Sequence, residues 1–278
     1  MRKLCYFNID KMRVGVIGIG VVGGAVAKSF RTHDIDLVTY DKFKNIGNFE
    51  DMLTTDIVFL CLPTLYSYES QSYDKTALHE ICDLLVKNNY QGLVVIKSTV
   101  EPTTSQNFAD KYKLNIFHNP EFLTARTAFE DFHTQSHIIV GKTNLISDEQ
   151  VDLLVNFFKT YYPDAKYSLC NSTESEMTKI SCNCFYSVKI QFFNELYMLC
   201  SNLGVNYDKV KDMMIKNNWI NPMHTSVPGQ DGKLSYGGMC FPKDTNALCS
   251  FMKERNVPHK VLESTIEERN DIRGKDNN

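Results

Sequence analysis

A glycine-rich turn between two apolar segments is the feature that most constrains the fold of this chain. Residues 14–17 form a short run rich in β-branched side chains, residues 18–23 read Gly-Ile-Gly-Val-Val-Gly, and residues 24–30 are small or apolar enough for a helix. Glycines in a G-x-G-x-x-G pattern permit a tight turn and close approach of the backbone to a phosphate. The order strand, glycine turn and helix therefore predicts the first unit of a dinucleotide-binding α/β fold.

A second predicted strand, residues 36–40, supplies the acidic residue that this interpretation needs. It ends at Asp41, which lies 23 positions after Gly18 (41 − 18). An acid there can accept hydrogen bonds from the adenosine ribose and repels a ribose phosphate, which favours NAD over NADP; the neighbouring cation Lys42 softens that preference. A glycine turn without a ligand is the alternative. The predicted cofactor-binding residues are Gly18, Gly20, Val21, Val22, Gly23, Asp41, Lys42 and Thr99.

Composition excludes several classes of partner. The chain has 278 residues, of which 43% are hydrophobic, enough for two ordinary cores. A formal net charge of −3 gives no electrostatic footprint for nucleic acid or an anionic membrane, and no apolar run approaches the about 20 residues of a membrane span. Nine cysteines without a C-x-x-C pair suit reduced thiols in the cytoplasm. We expect no metal, no nucleic acid and no membrane partner.

Strand and helix patterns alternate in the first part of the chain and give way to helices in the second. We predict a Rossmann-like domain with a doubly wound parallel sheet over residues 12–170, and a mostly α-helical domain over residues 171–278. Residues 1–11 are expected to be a dispensable extension, with Met12 as an alternative start. The predicted later strands are 56–62, 93–97, 114–117 and 137–141, and the predicted helices are 73–87, 148–160, 174–203, 207–216 and 245–273.

A single cysteine in residues 237–244, Gly-Gly-Met-Cys-Phe-Pro-Lys-Asp, indicates covalent catalysis. Pro242 can begin a helix whose first amides and positive dipole end favour a thiolate or an oxyanion at Cys240. Asp244, near the helix start, could cap the helix or accept a proton. The alternative is a buried cysteine in a tight turn.

Polar residues at predicted strand ends and on the long predicted helix complete the candidate site. Thr99 and Glu121 each follow a strand, which places a hydroxyl and a carboxylate at the cofactor cleft. Lys179 and Asn183 are four residues apart, so both project from one helix face and can stabilise an oxyanion. Each has an ordinary alternative: Thr99 as a turn residue, Glu121 as a helix cap, and Lys179 as a solvated charge.

Five motifs in this order resemble one family. GxGxxG, KST, NPEFL, E-x-x-K-x-x-x-N and GGxCFPKD, between residues 14 and 273, are similar to those of the nucleotide-sugar 6-dehydrogenases, the UDP-glucose/GDP-mannose dehydrogenase family. The resemblance implies two successive NAD-dependent oxidations that take a sugar C6 alcohol through an aldehyde to a carboxylate. A UDP-hexose, with UDP-glucose foremost, is the expected substrate, and a GDP-mannose or an N-acetylated hexosamine nucleotide is not distinguished from it.

The resemblance also implies a role for each matched residue. Lys179, with Asp244 and an ordered water, would assist removal of the hydroxyl proton. Cys240 would add to the aldehyde to give a thiohemiacetal and then a thioester, a reaction suited to a thiolate because it is both a strong nucleophile and a good leaving group. Lys179 and Asn183 would hold the negative oxygen.

Water activation and substrate binding follow by the same resemblance. Glu121 and Thr99 would position or activate the hydrolytic water. Ala125 stands where the family commonly has a second glutamate, so this step rests on Glu121 alone; His137 replaces a frequent Arg, and Ser235 departs from the usual loop residue. The implied substrate-binding residues are Glu121, Phe122, Leu123, Lys179, Asn183, Tyr236, Gly237 and Gly238.

Family members continue into a further α/β domain of ~100 residues that grips the nucleotide base. The chain, ending at Asn278, is therefore expected to be a short form, with weakened UDP affinity unless a partner supplies that surface, and to form a homodimer through its helical domain. Two alternatives stay open. The two-domain β-hydroxyacid dehydrogenases share the architecture but need no cysteine, and a non-catalytic relative would only bind NAD or a full-length enzyme.

Overall fold

The computed structural model describes residues 11–274, so the predicted extension lies outside the described residues except for Lys11. The strands of the described chain are β1 (Arg13–Ile17), β2 (Asp36–Tyr40), β3 (Ile57–Leu60), β4 (Tyr66–Ser67), β5 (Ser72–Tyr73), β6 (Leu93–Ile96), β7 (Asn115–His118), β8 (His137–Lys142) and β9 (Lys166–Asn171). The helices are α1 (Val21–Thr32), α2 (Phe49–Met52), α3 (Thr76–Lys87), α4 (Thr104–Tyr112), α5 (Ala128–His133), α6 (Asp148–Tyr161), α7 (Ser172–Asn202), α8 (Tyr207–Ile215), α9 (Phe241–Glu254) and α10 (Lys260–Arg273).

The chain divides into two compact units. The sheet unit contains the described residues up to 65 together with 74–179, and the helical unit contains 66–73 and 180–274. The boundary falls within α7, whose first two turns belong to the sheet unit. Residues 66–73, the hairpin of β4 and β5, belong to the helical unit although they lie in the middle of the sheet unit's sequence.

The sheet unit has a seven-stranded sheet of order β2-β1-β3-β6-β7-β8-β9. The predicted doubly wound, mostly parallel sheet is confirmed, since five strands from β2 to β7 pair in parallel. The expectation that β8 is parallel was wrong: it pairs antiparallel with β7, and β9, which was not predicted, runs parallel to β8. The register pairs His118 with Gly141, so the first residues of β8, 137–140, extend beyond the carboxyl end of β7.

Both faces of the central strands β1, β3, β6 and β7 are buried, which explains why these strands are nearly continuously apolar. Alternate strand residues such as Val16, Phe59 and Val95 join one core cluster, which includes residues of α1, α5 and α6. Their neighbours, such as Val58 and Val94, join a second cluster with residues of α3 and α4. The carboxyl ends of the parallel strands are thereby held in fixed positions at one edge.

The helical unit is organised around α7. Its first cluster combines the hairpin with α7, α9 and α10, and it includes Tyr66, Tyr73, Ile180, Leu248 and Leu262. The continuous helix predicted over 245–273 is broken by residues 255–259, so that α9 and α10 are separate. Within residues 11–274, no helix combines the length and apolar character needed to cross a membrane.

Candidate functional site

The glycine turn lies between β1 and α1, and each glycine of the motif has a different steric environment. Gly18 has φ +87°, and a Cβ there would lie 2.5 Å from the carbonyl oxygen of Cys61. A Cβ on Gly23 would lie 1.8 Å from the carbonyl oxygen of Gly18, so only glycine lets α1 pack this closely. A Cβ on Gly20 would meet nothing within 4 Å. Gly18 and Gly23 therefore pack tightly against other backbone atoms, whereas Gly20 borders open space. A ligand phosphate can approach there, beside the amino end of α1.

Asp41 fixes this turn from the end of β2. Its carboxylate accepts hydrogen bonds from the backbone N–H groups of Ile19 at 2.8 Å, Phe43 at 3.0 Å and Lys44 at 2.9 Å. Burial opposes ionisation, but these hydrogen bonds outweigh it and hold the pKa of Asp41 below its ordinary value. The charged carboxylate beside the glycine turn fits the ribose end of a dinucleotide.

The other predicted residues at this turn lie as follows. Val21 is the exposed first residue of α1, and Val22 packs partly against the core. Lys42 forms an ion pair with Glu80, which raises the pKa of Lys42. The cation that neighbours the turn is Lys44, whose ammonium donates to the carbonyl of Ile19. The residues at the turn fit NAD, with Gly20 and the α1 amino end suited to its diphosphate and Asp41 to its ribose.

The Lys-Ser-Thr segment follows β6. Lys97 is buried and donates from Nζ to the side-chain and backbone oxygens of Asn119, at 2.7 and 3.1 Å. Burial lowers the pKa of Lys97 to about 8. Ser98 bridges to both backbone groups of Leu62, and the carbonyl of Thr99 accepts from the hydroxyl of Thr64 at 2.7 Å. These contacts tie the ends of β3, β6 and β7 together.

A buried ion pair follows β7. Nζ of Lys179 lies 3.1 Å from Oε1 of Glu121, with side-chain exposures of 5% and 10%. Oε2 of Glu121 accepts from the backbone N–H of Leu123 at 2.6 Å, and the Lys179 ammonium lies 5.2 Å from the ring centre of Phe122. Lys179 is therefore not a solvated charge, and Glu121 does not cap a helix.

A second buried glutamate, Glu176 of α7, has a structural role. Its carboxylate is buried and accepts from the backbone N–H groups of Thr103 and Ser105, both at 2.7 Å, at the amino end of α4. Burial raises its pKa to about 7 despite these hydrogen bonds. Glu176 thus anchors the first turns of α7, which carry Lys179.

Cys240 is the N-cap residue of α9, and Pro242 occupies the first turn of that helix. The thiol residue is exposed, so the alternative of a buried cysteine in a tight turn was wrong. The preceding Gly238 has φ +78° and open space where a Cβ would lie. An exposed cysteine at a helix amino end is in the electrostatic setting that favours a thiolate.

Asp244 lies one turn into α9 and is fully buried. Its Oδ1 accepts from the hydroxyl of Tyr73 and from Nζ of Lys243, and its Oδ2 accepts from Nδ2 of Asn183 at 2.6 Å. Asp244 therefore makes side-chain contacts rather than capping the helix. Asn183 lies one turn after Lys179 on α7, in the arrangement that the sequence predicts.

Side chains of α7 and α10 hold the loop before Cys240 by hydrogen bonds to its backbone. The backbone N–H of Ser235 donates to Asn194 at 2.8 Å, and the carbonyl of Tyr236 accepts from Nε of Arg269 at 3.3 Å. A Cβ on Gly237 would lie 2.3 Å from a guanidinium nitrogen of Arg273. Tyr236 is only 2% exposed, so its side chain supports the loop from within.

Sequence reasoning missed the groups that surround Asp244. Tyr73 was assigned to the start of a helix, whereas it ends β5 and reaches α9 from the inserted hairpin. The repeated Tyr-Ser and Ser-Tyr pairs flanking a polar turn, at 66–67 and 72–73, were the available signal. The role of Lys243, although within the cysteine motif, was also not recognised.

A Rossmann-like sheet, a glycine turn with an acidic partner, and a helical unit with an exposed cysteine at a helix amino end define a dinucleotide-binding protein of the dehydrogenase type. Two domain models make this specific. The NAD binding domain of the UDP-glucose/GDP-mannose dehydrogenase family matches residues 42–160, and the central domain of the same family matches residues 173–271. The chain belongs to this family, and the prediction of a NAD-binding domain is confirmed.

Individual relatives agree with the family. The UDP-glucose 6-dehydrogenase of Rickettsia felis is 32% identical over 240 residues, which cover 81% of this chain and 50% of the relative. UDP-glucose 6-dehydrogenase AglM of Haloferax volcanii is 27% identical, over 92% of this chain and 69% of the relative. The chain spans about half the length of the Rickettsia relatives. The solved UDP-glucose dehydrogenase of Pyrobaculum islandicum has the same fold, with a TM-score of 0.84 at 23% identity over 97% of this chain and 70% of that one.

Proposed function

We propose that this protein is a NAD-dependent nucleotide-sugar 6-dehydrogenase that oxidises the C6 alcohol of a UDP-hexose to the carboxylate in two steps. The observation that carries the proposal is the exposed Cys240 at the amino end of α9, one turn before a buried carboxylate held by three side-chain donors. A simple alcohol dehydrogenase has no use for a nucleophile placed this way, whereas oxidation of an aldehyde to an acid needs one. Bound NAD supplies the hydride acceptor for both oxidations.

The chain's own residues provide the remaining chemistry. Lys179 and Asp244, each within one of the motifs that resemble the family, assist removal of the C6 hydroxyl proton together with an ordered water. The thiolate of Cys240 then forms a carbon–sulfur bond with the aldehyde carbon, and the carbonyl oxygen becomes the negative oxygen of a thiohemiacetal. Lys179 and Asn183, one turn apart on α7, provide an ammonium and an amide N–H for that oxygen.

Release of the acid requires water to replace sulfur on the carbon of the thioester. Glu121 is the carboxylate assigned to this step, with Thr99 as a positioning hydroxyl. The ion pair with Lys179 holds the Glu121 carboxylate in place, and a carboxylate oxygen is the group that can accept a proton from the attacking water. The sugar nucleotide is assigned to backbone groups of Phe122, Leu123, Tyr236, Gly237 and Gly238.

The substrate assignment to UDP-glucose rests on the relatives, which are named UDP-glucose 6-dehydrogenases. The test is acid formation from a panel of UDP- and GDP-sugars with NAD, in the wild-type chain and in Cys240→Ala. We expect acid from UDP-glucose with the wild type and a loss of at least about 10³-fold in the variant, with NAD affinity unchanged. Full acid production by Cys240→Ala would overturn the covalent route.

We also propose that the protein forms a homodimer through α7. Phe185, Phe192 and Leu199 are spaced by seven residues on one face of the helix and are 64%, 53% and 54% exposed. A stripe of this kind is typical of a helix–helix interface. Phe192→Glu should give a monomer in sedimentation, while Val261→Glu, at a 68% exposed site on α10, should leave the dimer intact. Equal behaviour of the two variants would remove the assignment to α7.

The cytoplasm is the proposed location. The cysteines of residues 11–274 are all free thiols, which suits a reducing compartment. Labelling of thiols in intact cells before and after lysis would show whether these cysteines are reduced there.

A further inference from the structure

We propose that Tyr73 is a positioning residue for Asp244, an inference that rests on the proposed dehydrogenase function. The Tyr73 hydroxyl donates to Oδ1 of Asp244, 171 positions further along the chain. Tyr73 is 2% exposed and Asp244 is fully buried, so water does not replace this hydrogen bond. A charged, buried carboxylate needs several donors to stay charged. Tyr73 is one of three.

The hairpin that carries Tyr73 is held against α7 and α9, which fixes the position of the Tyr73 hydroxyl. β4 and β5 have two residues each, and a hairpin this short is not stable by itself. It is held by apolar packing against Ile180 of α7 and Leu248 of α9. The hydroxyl of Tyr66 adds a hydrogen bond of 2.8 Å to Ser250 of α9. The inserted segment is therefore fixed to the same helix that Cys240 begins.

The donors are divided unequally between the two carboxylate oxygens. An ionised carboxylate has about four acceptor sites, two on each oxygen. Oδ1 accepts from Tyr73 and Lys243, and Oδ2 accepts from Asn183. Among the described residues these donors leave one acceptor site, on Oδ2. Because Tyr73 and Lys243 occupy Oδ1, a further donor can bind Asp244 only at Oδ2, the oxygen that also accepts from Asn183.

Lys243 contacts both the aromatic ring of Tyr73 and the carboxylate of Asp244. Its Nζ lies 4.6 Å from the ring centre of Tyr73 and also pairs with Oδ1 of Asp244. The aromatic ring holds the ammonium by a cation–π contact, while the hydroxyl holds the carboxylate. Tyr73→Phe keeps the ring and its contact with Lys243 and removes only the hydroxyl. This variant isolates the hydrogen bond to Asp244.

Loss of the hydroxyl should act on the chemical step. The carboxylate loses one donor and can rotate, so we expect kcat to fall about tenfold, the equivalent of one ordinary hydrogen bond. KM for the nucleotide sugar should change by less than about twofold.

The matched control is Tyr66→Phe, which removes a hydroxyl from the same hairpin and a hydrogen bond to the same helix without touching Asp244. Both variants should lose similar thermal stability, and only Tyr73→Phe should lower kcat while leaving KM nearly unchanged. Equal kinetic effects of the two variants would show that the hairpin is merely structural.

A double-mutant cycle with Asp244→Asn decides whether Tyr73 acts through Asp244. Because Asn in place of Asp removes the charged acceptor, Tyr73→Phe should cost less than about twofold further in that background. A further tenfold loss would overturn the positioning role while leaving the proposed function standing. A wild-type chain that oxidises no nucleotide sugar, although it binds NAD, would overturn the proposed function, and the kinetic role of Tyr73 with it.

Discussion

Two glycine-containing turns lead into the amino ends of helices, residues 18–23 before α1 and residues 237–240 before α9, and different contacts hold them in place. The turn before α1 is defined mainly by backbone atoms: a Cβ on Gly18 would collide with the carbonyl oxygen of Cys61, and a Cβ on Gly23 with that of Gly18. The start of α9 and the loop before it depend on side chains from distant segments, including Tyr73, Asn183 and Arg269. The first turn is therefore fixed by close backbone packing within the sheet unit, and the second by side-chain hydrogen bonds within the helical unit.

The difference has a functional side. The glycine turn needs an open surface for a diphosphate, and its acidic residue Asp41 is held by backbone N–H groups alone. The cysteine turn needs a carboxylate in a defined orientation, and Asp244 is held by side chains. Substitutions at the two turns should consequently separate binding from chemistry.

The largest effect is expected at Asp244. Asp244→Ala leaves the side chains of Asn183, Lys243 and Tyr73 without their common acceptor, so we expect a loss of about 3 kcal/mol in the free energy of unfolding and no measurable acid formation. Asp41→Ala should cost about 1 kcal/mol and weaken NAD binding. Urea denaturation of both variants checks this order; equal destabilisation would remove the distinction between the two turns.

Within the first turn, Gly23 and Gly20 should behave differently. Gly23→Ala places a Cβ 1.8 Å from the carbonyl oxygen of Gly18 and should cost about 2 kcal/mol or more. Gly20→Ala meets no protein atom, so stability should change by less than about 0.5 kcal/mol, while the Kd for NAD rises about tenfold or more. Thermal unfolding and NAD titration of the pair measure both quantities. An unchanged NAD affinity in Gly20→Ala would place the diphosphate elsewhere.

The sheet unit should also carry a specific pH dependence through Glu176. Because its pKa in the folded state, about 7, lies above its unfolded value, the stabilisation is complete below about pH 4.5 and is lost as pH rises through 7. A pKa raised from 4.5 to about 7 corresponds to a loss of about 3 kcal/mol. Glu176→Gln removes this titration, so the unfolding free energy of the wild type should fall relative to that of the variant as pH rises from 4.5 to 8. Parallel curves from pH 4.5 to 8 would contradict the raised pKa.

A small effect, on stability alone, is expected at Gly238. Its φ of +78° disfavours any side chain, so Gly238→Ala should cost about 1 kcal/mol without a collision. Gly24→Ala, within α1 and with open space for a Cβ, is the matched control and should stabilise by about 0.5 kcal/mol through helix propensity. The two melting temperatures should shift in opposite directions.

The same contrast explains how much could be predicted from the sequence. The Rossmann-like sheet, the glycine turn and the helix start at Cys240 follow from local patterns, because apolar runs, glycine and proline act over a few residues. The antiparallel direction of β8 could not be read this way, since it depends on the path of residues 119–136. The partnership of Tyr73 with Asp244 spans 171 positions and needs the folded hairpin.

The ion pair of Glu121 with Lys179 lies between these extremes. Both residues belong to recognisable motifs, so their importance could be inferred, but the 3.1 Å contact and the burial of both side chains required the structure. A lysine paired with a buried glutamate and a solvated lysine look the same in a sequence, so the sequence alone did not reveal this ion pair.

The stoichiometry of NADH to acid tests the covalent two-step oxidation most directly. Purified protein is supplied with NAD and a limiting amount of UDP-glucose, and NADH and uronic acid are quantified at completion. Oxidation of an alcohol to an acid transfers two hydrides, so we expect about two NADH per sugar, with Cys240→Ala forming no acid. A value of about one NADH per sugar, with free aldehyde as the end product, would contradict the role of Cys240.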